Sequence, residues 1–292
     1  MGYLANKKHQ AHINTFLKIV IIFSAIITFA SFGKNIFLQA FNEYRWQILL
    51  LLSLIFIYTL FRRFYLYMIF SFLLLSINFF AVSSVTDFYN QQQPSSTKIL
   101  FVSKVTDTSH LFDVISQQMP DIIAVSKVDA PYFSAQEAIP EQYNFLHSPD
   151  MSGGFMLSRT DAIFSGRINL GTKVFASFVK IQTDSSPTTF VAVDFYHLNI
   201  LQIEQALNAL SSFVAEQDDP VVVFGNFNTV AWSRPLSKFI SKHNLVVKNG
   251  LCDNVRNIFI PQKHYILAYE KSKISGKIML PYLNSFSLFT RF

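Results

Sequence analysis

The chain has 292 residues, 51 % of them hydrophobic and only 14 % charged, with a mean hydropathy of +0.31, whereas an ordinary soluble domain carries about 25 % charged residues. The net charge of +6 would alone suggest a basic surface for nucleic acid or anionic lipid. Position argues otherwise: residues 1 to 87 hold seven basic side chains (Lys7, Lys8, Lys18, Lys34, Arg45, Arg62 and Arg63) against Glu43 and Asp87, which leaves the remainder almost neutral. The single cysteine, Cys252, excludes an intrachain disulfide and a cysteine zinc cluster. With no base marked beside it, it reads as a small packing residue rather than a nucleophile.

Three stretches are apolar enough to be transmembrane spans, near residues 16–33, 46–61 and 64–85, each close to the roughly 20 residues needed to cross a hydrocarbon core about 30 Å thick. Backbone amides in lipid must be bonded within the segment, so all three are expected to be helices. The first lacks a small-residue cleavage site, and two more spans follow, so it reads as an anchor rather than a signal peptide. Lys7 and Lys8 precede the first span, and Arg62 and Arg63 separate the second from the third. Retention of cations in the cytoplasm puts both pairs on that side. The loop from Gly33 to Arg45 is nearly balanced in charge and suits the opposite face. The expected topology is therefore a multi-pass protein of the plasma (inner) membrane, with the amino terminus cytoplasmic and the carboxyl-terminal domain extracytoplasmic. Tyr44, Trp46, Tyr65 and Tyr67 lie near span ends, where amphipathic rings favour the headgroup layer. No acid or base interrupts the middle of a span, so no ion pathway is indicated. Residues 1–87 read as an anchor and the polar residues 88–97 as a linker.

The region 98–292 mixes the two periodicities. Ile99–Val105 is expected as a strand, Ser109–Met119 as a helix stopped by Pro120, and Ile122–Val128 as a second strand. Val174–Ile181 and Thr189–Tyr196 read as a hairpin around a turn at 183–187. Ile200–Glu216 is an amphipathic helix, Val221–Phe224 a buried strand, Pro235–His243 a helix and His264–Tyr269 a last strand. Interleaved strands and helices favour a two-layer or four-layer α/β sandwich.

Several stretches in this region, ILFVSKV from Ile99, MPDIIAVSKVD from Met119, GGFMLSR at Gly153–Arg159 (read as a turn), DFYHL from Asp194 and above all VVVFGNFNTVAWSRP at Val221–Pro235, together resemble the endonuclease/exonuclease/phosphatase superfamily. The likeness is particularly to its bacterial members with an amino-terminal membrane bundle. It implies an αββα four-layer sandwich with two sheets face to face. It also implies phosphate-ester hydrolysis with a divalent metal, usually magnesium, held by carboxylates at the mouth of the sandwich, a histidine–aspartate pair assisting the attacking water. Magnesium wants hard oxygen ligands and serves to neutralise phosphoryl charge and orient water.

The residues that should do this work are replaced. Lys104 stands where the family's first strand ends in asparagine. Ser126 and Lys127 stand at the place of its Gln-Glu, so an ammonium replaces the metal-binding carboxylate. The Gly-Asp-Phe-Asn signature reads Gly225, Asn226, Phe227, Asn228. His197 persists, the Asp-His before the last strand reads Lys263, His264, and the terminal Ser-Asp-His reads Ser285, Phe286, Ser287. The resemblance therefore implies a degenerate site with no metal ligand set and no cofactor. Its remnant pocket would comprise Lys104, Lys127, His197, Asn226, Asn228, Lys263 and His264, made cationic by the three lysines, which could cradle an anion or be unrelated solvated groups. His197, on an apolar strand, reads first as a hydrogen-bonded structural residue, and Asn226 and Asn228 as turn amides. Asp129 could act as a displaced metal ligand. Lys271, Lys273 and Lys277 read as a solvated loop.

The expected function is a membrane-anchored pseudoenzyme acting as an extracytoplasmic binding or assembly module. Its partners would be the lipid bilayer and a protein or anionic ligand, with no nucleic acid. The alternative is a working metal-dependent phosphodiesterase or phosphatase with ligands rearranged onto Asp129, Asp194 and His264. A third reading is a structural membrane protein without a ligand.

Overall fold

The computed structural model describes residues 2–30, 32, 40–83, 97–102, 108–125, 141–145, 155–171, 174–183, 186–248, 263–269 and 274–279. The chain divides into two compact units, the first essentially Met1–Ser84 and the second running from Val85 to the carboxyl end.

In the first unit three helices are long and apolar enough to cross a membrane: α1 (Gly2–Ala30), α2 (Arg45–Phe61), entered through a 3-10 turn at Ala40–Tyr44, and α3 (Tyr65–Ser83). Leu17, Ile21, Ile27, Ile48, Leu52, Ile55 and Leu74 form their shared core. The opposite face of α1 presents Ile19, Ile22, Phe23, Ile26 and Phe29, each 59–61 % exposed. That is the pattern of helices solvated by hydrocarbon, where apolar groups need no burial. Two polar features escaped the sequence reading. Asn78 Nδ2 donates to Thr28 Oγ1 at 2.8 Å and to Leu74 O at 2.9 Å, bonding α3 to α1. Arg45, expected in the loop, is instead the first residue of α2 and is buried, its Nε on Asn42 Oδ1 at 2.9 Å and its guanidinium 4.3 Å from the Phe32 ring centroid.

The second unit contains two sheets. The first has the order β11 (Ile274–Met279), β1 (Thr97–Val102), β2 (Ile122–Val125), β4 (Phe155–Ser158), β3 (Asn144–Phe145). The second runs β5 (Ala162–Asn169), β6 (Phe175–Gln182), β7 (Pro187–Asp194), β8 (Val221–Asn226), β10 (His264–Tyr269), β9 (Leu245–Val247). Strand alternation sorts the side chains into layers. Ile99, Phe101, Ile122, Ala124 and Met156 of the first sheet meet Val179, Phe190, Val222, Phe224 and Ile266 of the second in one core, with Phe101 and Phe224 edge to face at 6.2 Å. On the other face of the first sheet, Leu100, Val102, Ile123, Val125 and Leu157 pack on Leu111, Val114 and Ile115 of α4 (Thr108–Gln118). Outside the second sheet, α5 (Ile200–Ala215) buries Ile203, Leu207, Leu210 and Val214, and its Phe213 lies 5.0 Å from Phe178 of β6. The layer order is thus helix, sheet, sheet, helix.

Several expectations need correcting. The stretch GGFMLSR is not a turn throughout, because Phe155–Ser158 pairs with β2 as a strand. Lys277 is not in a loop but in β11, which pairs in parallel with β1. β7 ends at Asp194 rather than Tyr196, because a turn follows at once: Tyr196 N–H bonds Asp194 Oδ1 at 3.0 Å and Leu198 N–H bonds Phe195 O at 2.9 Å. β8 runs on through Gly225 and Asn226, and α6 spans Arg234–Lys242. The edge strands β5 and β9 carry weak periodicity and were not anticipated. The linker 88–96, Cys252, Lys271 and Lys273 lie outside the described residues.

Candidate functional site

Three neighbouring strands bring polar residues to a common level. β7 and β8 run in parallel with Asp194 opposite Asn226, and β10 runs antiparallel to β8 with His264 opposite Asn226. One step earlier in β8, Gly225 has φ +135°, and a Cβ there would lie 2.0 Å from Val193 O. Only glycine permits this approach of two backbones. The chain then turns at Phe227, whose N–H bonds Lys263 O at 2.9 Å. At Asn228 φ is +49°, a left-handed conformation asparagine tolerates better than most residues.

Asn226 is 3 % exposed, and both ends of its amide are used internally. Its Nδ2 donates to Asp194 Oδ1 at 3.0 Å, and its Oδ1 accepts the backbone N–H of Asn228 at 3.0 Å. Asp194 Oδ1 also accepts Tyr196 N–H at 3.0 Å. Asn228 Nδ2 reaches the carbonyls of Tyr196 and Leu198, each at 3.2 Å, and so clamps the turn that follows β7. These are turn amides, as the sequence suggested, and they hold two loops against each other. His264 lies 6.5 Å from the Phe101 ring. Burial, reinforced by the neighbouring Lys263 ammonium, pushes its pKa down to about 4, so the ring is neutral at physiological pH.

The structure thus brings together Asn226, Asn228, Lys263 and His264 of the expected pocket, and adds Asp194. His197 differs from expectation. It lies in the turn beyond β7 rather than on an apolar strand, is exposed, and packs edge-on against Tyr196 at 4.8 Å. Its reading as a hydrogen-bonded strand residue fails because β7 ends three residues earlier. Lys104, Lys127, Asp129, Ser126 and Ser285–Ser287 lie outside the described residues.

Two further motif positions have framework roles that sequence reading did not assign. Asp121 of the MPDIIAV stretch accepts Lys98 N–H at 2.7 Å and pairs with Arg159 of GGFMLSR, joining the edges of β1, β2 and β4. The hydroxyl of Tyr143 donates to Pro120 O at 2.7 Å beside them. The signal was available in the two matched stretches, each of which carries one member of the ion pair.

A magnesium ion of the kind the resemblance implies does not fit the described strand ends. They offer one carboxylate, Asp194, whose Oδ1 already accepts two hydrogen bonds. The Asn226 oxygen is committed to the backbone, and among the described residues no three His, Cys, Asp or Glu side chains cluster. A hard dication needs several oxygens.

No family model and no curated protein matches the chain. Among solved structures it is similar to an endonuclease/exonuclease/phosphatase family protein from Bacteroides thetaiotaomicron, at 13 % identity over 61 % of this chain and 83 % of the other, with a TM-score of 0.47. It is similar to a mannosyl-6-phosphatase of Bacteroides thetaiotaomicron VPI-5482, at 12 % identity over 61 % and 86 %, TM-score 0.46. A functionally unknown conserved protein from Enterococcus faecalis V583 matches at 10 % identity over 59 % and 86 %, TM-score 0.48. These likenesses are of fold alone: three apolar helices precede a mixed-sheet α/β unit whose solved neighbours include endonuclease/exonuclease/phosphatase proteins.

Proposed function

We propose that this chain is a membrane-anchored, catalytically inactive relative of the endonuclease/exonuclease/phosphatase proteins, whose sandwich serves as an extracytoplasmic binding or assembly module. The observation that carries this reading is the closed bonding of Asn226. At the signature position a metal-binding carboxylate would have to present free oxygen to the pocket. Here an amide donates to Asp194 and accepts from Asn228, so the strand end is tied to its own loop. Lys263 and neutral His264 beside it supply no anionic ligand. The partner is the bilayer together with a protein or an anionic ligand, not nucleic acid, and no metal is required. The charge distribution of the spans supports a plasma-membrane topology with the amino terminus cytoplasmic.

The test is magnesium and manganese binding by calorimetry on the detergent-solubilised chain, with generic phosphodiester hydrolysis followed in the same samples. Neither is expected in the natural sequence. Both are expected to return in part when Lys127→Glu, Asn226→Asp, Lys263→Asp, Phe286→Asp and Ser287→His are combined. Metal-dependent turnover by the natural chain, abolished by Asp129→Ala or His264→Ala, would establish the alternative, a hydrolase with rearranged ligands. That alternative draws on the register that sets Asp194 and His264 on either side of Asn226. Protease cleavage of the carboxyl-terminal unit in intact spheroplasts tests the topology, and complete protection would reverse it.

A further inference from the structure

The outer face of the second sheet carries a second polar centre, unconnected with the strand ends. Helices α5 and α6 flank an open cleft of about 390 Å³, solvent-facing space included, lined by Glu204, Asn208 and Ser211 on one side and Lys238 and Lys242 on the other, over Leu207, Pro235 and Phe239. Ser211 is 5 % exposed. Its hydroxyl oxygen accepts from Lys242 Nζ at 2.8 Å and lies 2.7 Å from His243 Nε2. Burial, and then the charge of Lys242, holds the His243 pKa below its ordinary value. With the ammonium donating to Oγ, the arrangement that satisfies every group has the serine O–H donating to the unprotonated Nε2 of a neutral His243.

The consequence is a fixed cation. A lysine side chain normally gives up rotamer freedom on meeting a ligand, but Lys242 is already held at the cleft by Ser211, so that cost is paid in folding. Lys238 lies one helical turn earlier on the same face. Neither ammonium has a carboxylate within ion-pair distance among the described residues. Both lysines are exposed at the cleft, and the balance of the lining is two cations to one carboxylate.

We propose that this cleft binds a small oxyanion of phosphate chemistry, held by the ammonium groups of Lys238 and Lys242 with Asn208 as a neutral donor, while Glu204 weakens the site. Inorganic phosphate and the phosphomonoester of a larger ligand share that chemistry. The site is independent of the strand-end residues and of whether they are catalytically silent.

The experiment uses the full chain in neutral detergent, with ring-labelled histidine, and titrates inorganic phosphate while following His243, assigned by His243→Gln. Saturable shifts are expected, together with a rise in the His243 pKa when phosphate is bound, because a bound anion favours the imidazolium. Lys238→Met and Lys242→Met should each weaken binding about tenfold, and Glu204→Gln should strengthen it. The gain-of-binding variant keeps the test decisive even if Lys242→Met loosens the helix pair. A small phosphomonoester competing with phosphate would identify the larger ligand class, and phosphate bound without such competition would assign the site to the free ion. Non-saturable shifts, an equal response to chloride at matched ionic strength, or affinities unchanged in Lys238→Met and Glu204→Gln would mean an adventitious ion only and overturn the proposal.

Discussion

Gly225→Ala is the substitution for which the structure gives the sharpest expectation. At φ +135° a side chain is strained whatever space surrounds it, at a cost of about 1–3 kcal/mol. Space is also lacking, because the new Cβ would sit 2.0 Å from Val193 O, and the obstructing atom is backbone of the adjacent parallel strand. β7 and β8 would have to part by more than an ångström at the point where Asp194 meets Asn226, adding about 1–3 kcal/mol of packing strain. A total near 4 kcal/mol takes away a large part of the roughly 5–15 kcal/mol that stabilises a typical domain. For a unit of this size it corresponds to a fall of roughly 10 °C in Tm. Thermal unfolding of the carboxyl-terminal unit, read by proteolysis of the detergent-solubilised chain, measures it. A Gly225→Ala protein melting within about 2 °C of the natural one would refute the argument, since the overlap would then be relieved at no cost.

Three further outcomes follow from other parts of the molecule. Asn226→Asp places a carboxylate 3.0 Å from Asp194 Oδ1 in place of a donor and should cost about 2 kcal/mol at neutral pH. The exchange Asp194→Asn with Asn226→Asp should recover most of it, and denaturant midpoints of the two proteins would show whether the pair is coupled. His264 has a folded pKa of about 4, below an unfolded value of about 6.5. Its contribution is therefore present above pH 6.5 and lost as pH falls towards 4, by up to about 3 kcal/mol before allowance for partial solvation. His264→Gln should flatten the dependence of the denaturation midpoint between pH 7 and 4.5, and an unchanged slope would contradict the assignment. Asn78→Leu removes the bond to Thr28 inside the first unit and should destabilise the helix bundle by about 1 kcal/mol, seen as a lower detergent unfolding temperature that Thr28→Val reproduces.

The parts legible in the sequence were those with a strong local period or a strong local chemistry. The three spans and the strand at His264–Tyr269, buried on both faces, are continuous apolar runs, and the helix at 200–215 buries one amphipathic face, so their patterns need no tertiary information. Edge strands were harder to read. β5 has the burial pattern of a strand half in solvent, with Ile163 and Phe164 both exposed and a register shift between Ala162 and Phe164. Alternation is therefore broken where periodicity would be sought. β9 is three residues long and exists only because β10 lies beside it. The placement of His197 failed for a different reason: β7 stops where the Asp194 side chain accepts Tyr196 N–H and Phe195 O accepts Leu198 N–H, a tight turn that the apolar run before DFYHL does not mark.

The matched motifs divide by what their residues do. Asp121 and Arg159 pair across strands, Gly225 lets β8 approach β7, and Asn228 bridges Tyr196 and Leu198. Each of these has a structural role in this fold. Asn226 is the departure, and its geometry shows why the fold tolerates it. An aspartate at this buried level would face Asp194 with no donor between the two carboxylates. The amide supplies that donor and still accepts from Asn228. In the absence of a metal, asparagine is the better residue for this position, because the attraction a cation would provide is replaced by a neutral hydrogen bond that costs no desolvated charge. Asn226→Asp alone should therefore weaken the fold.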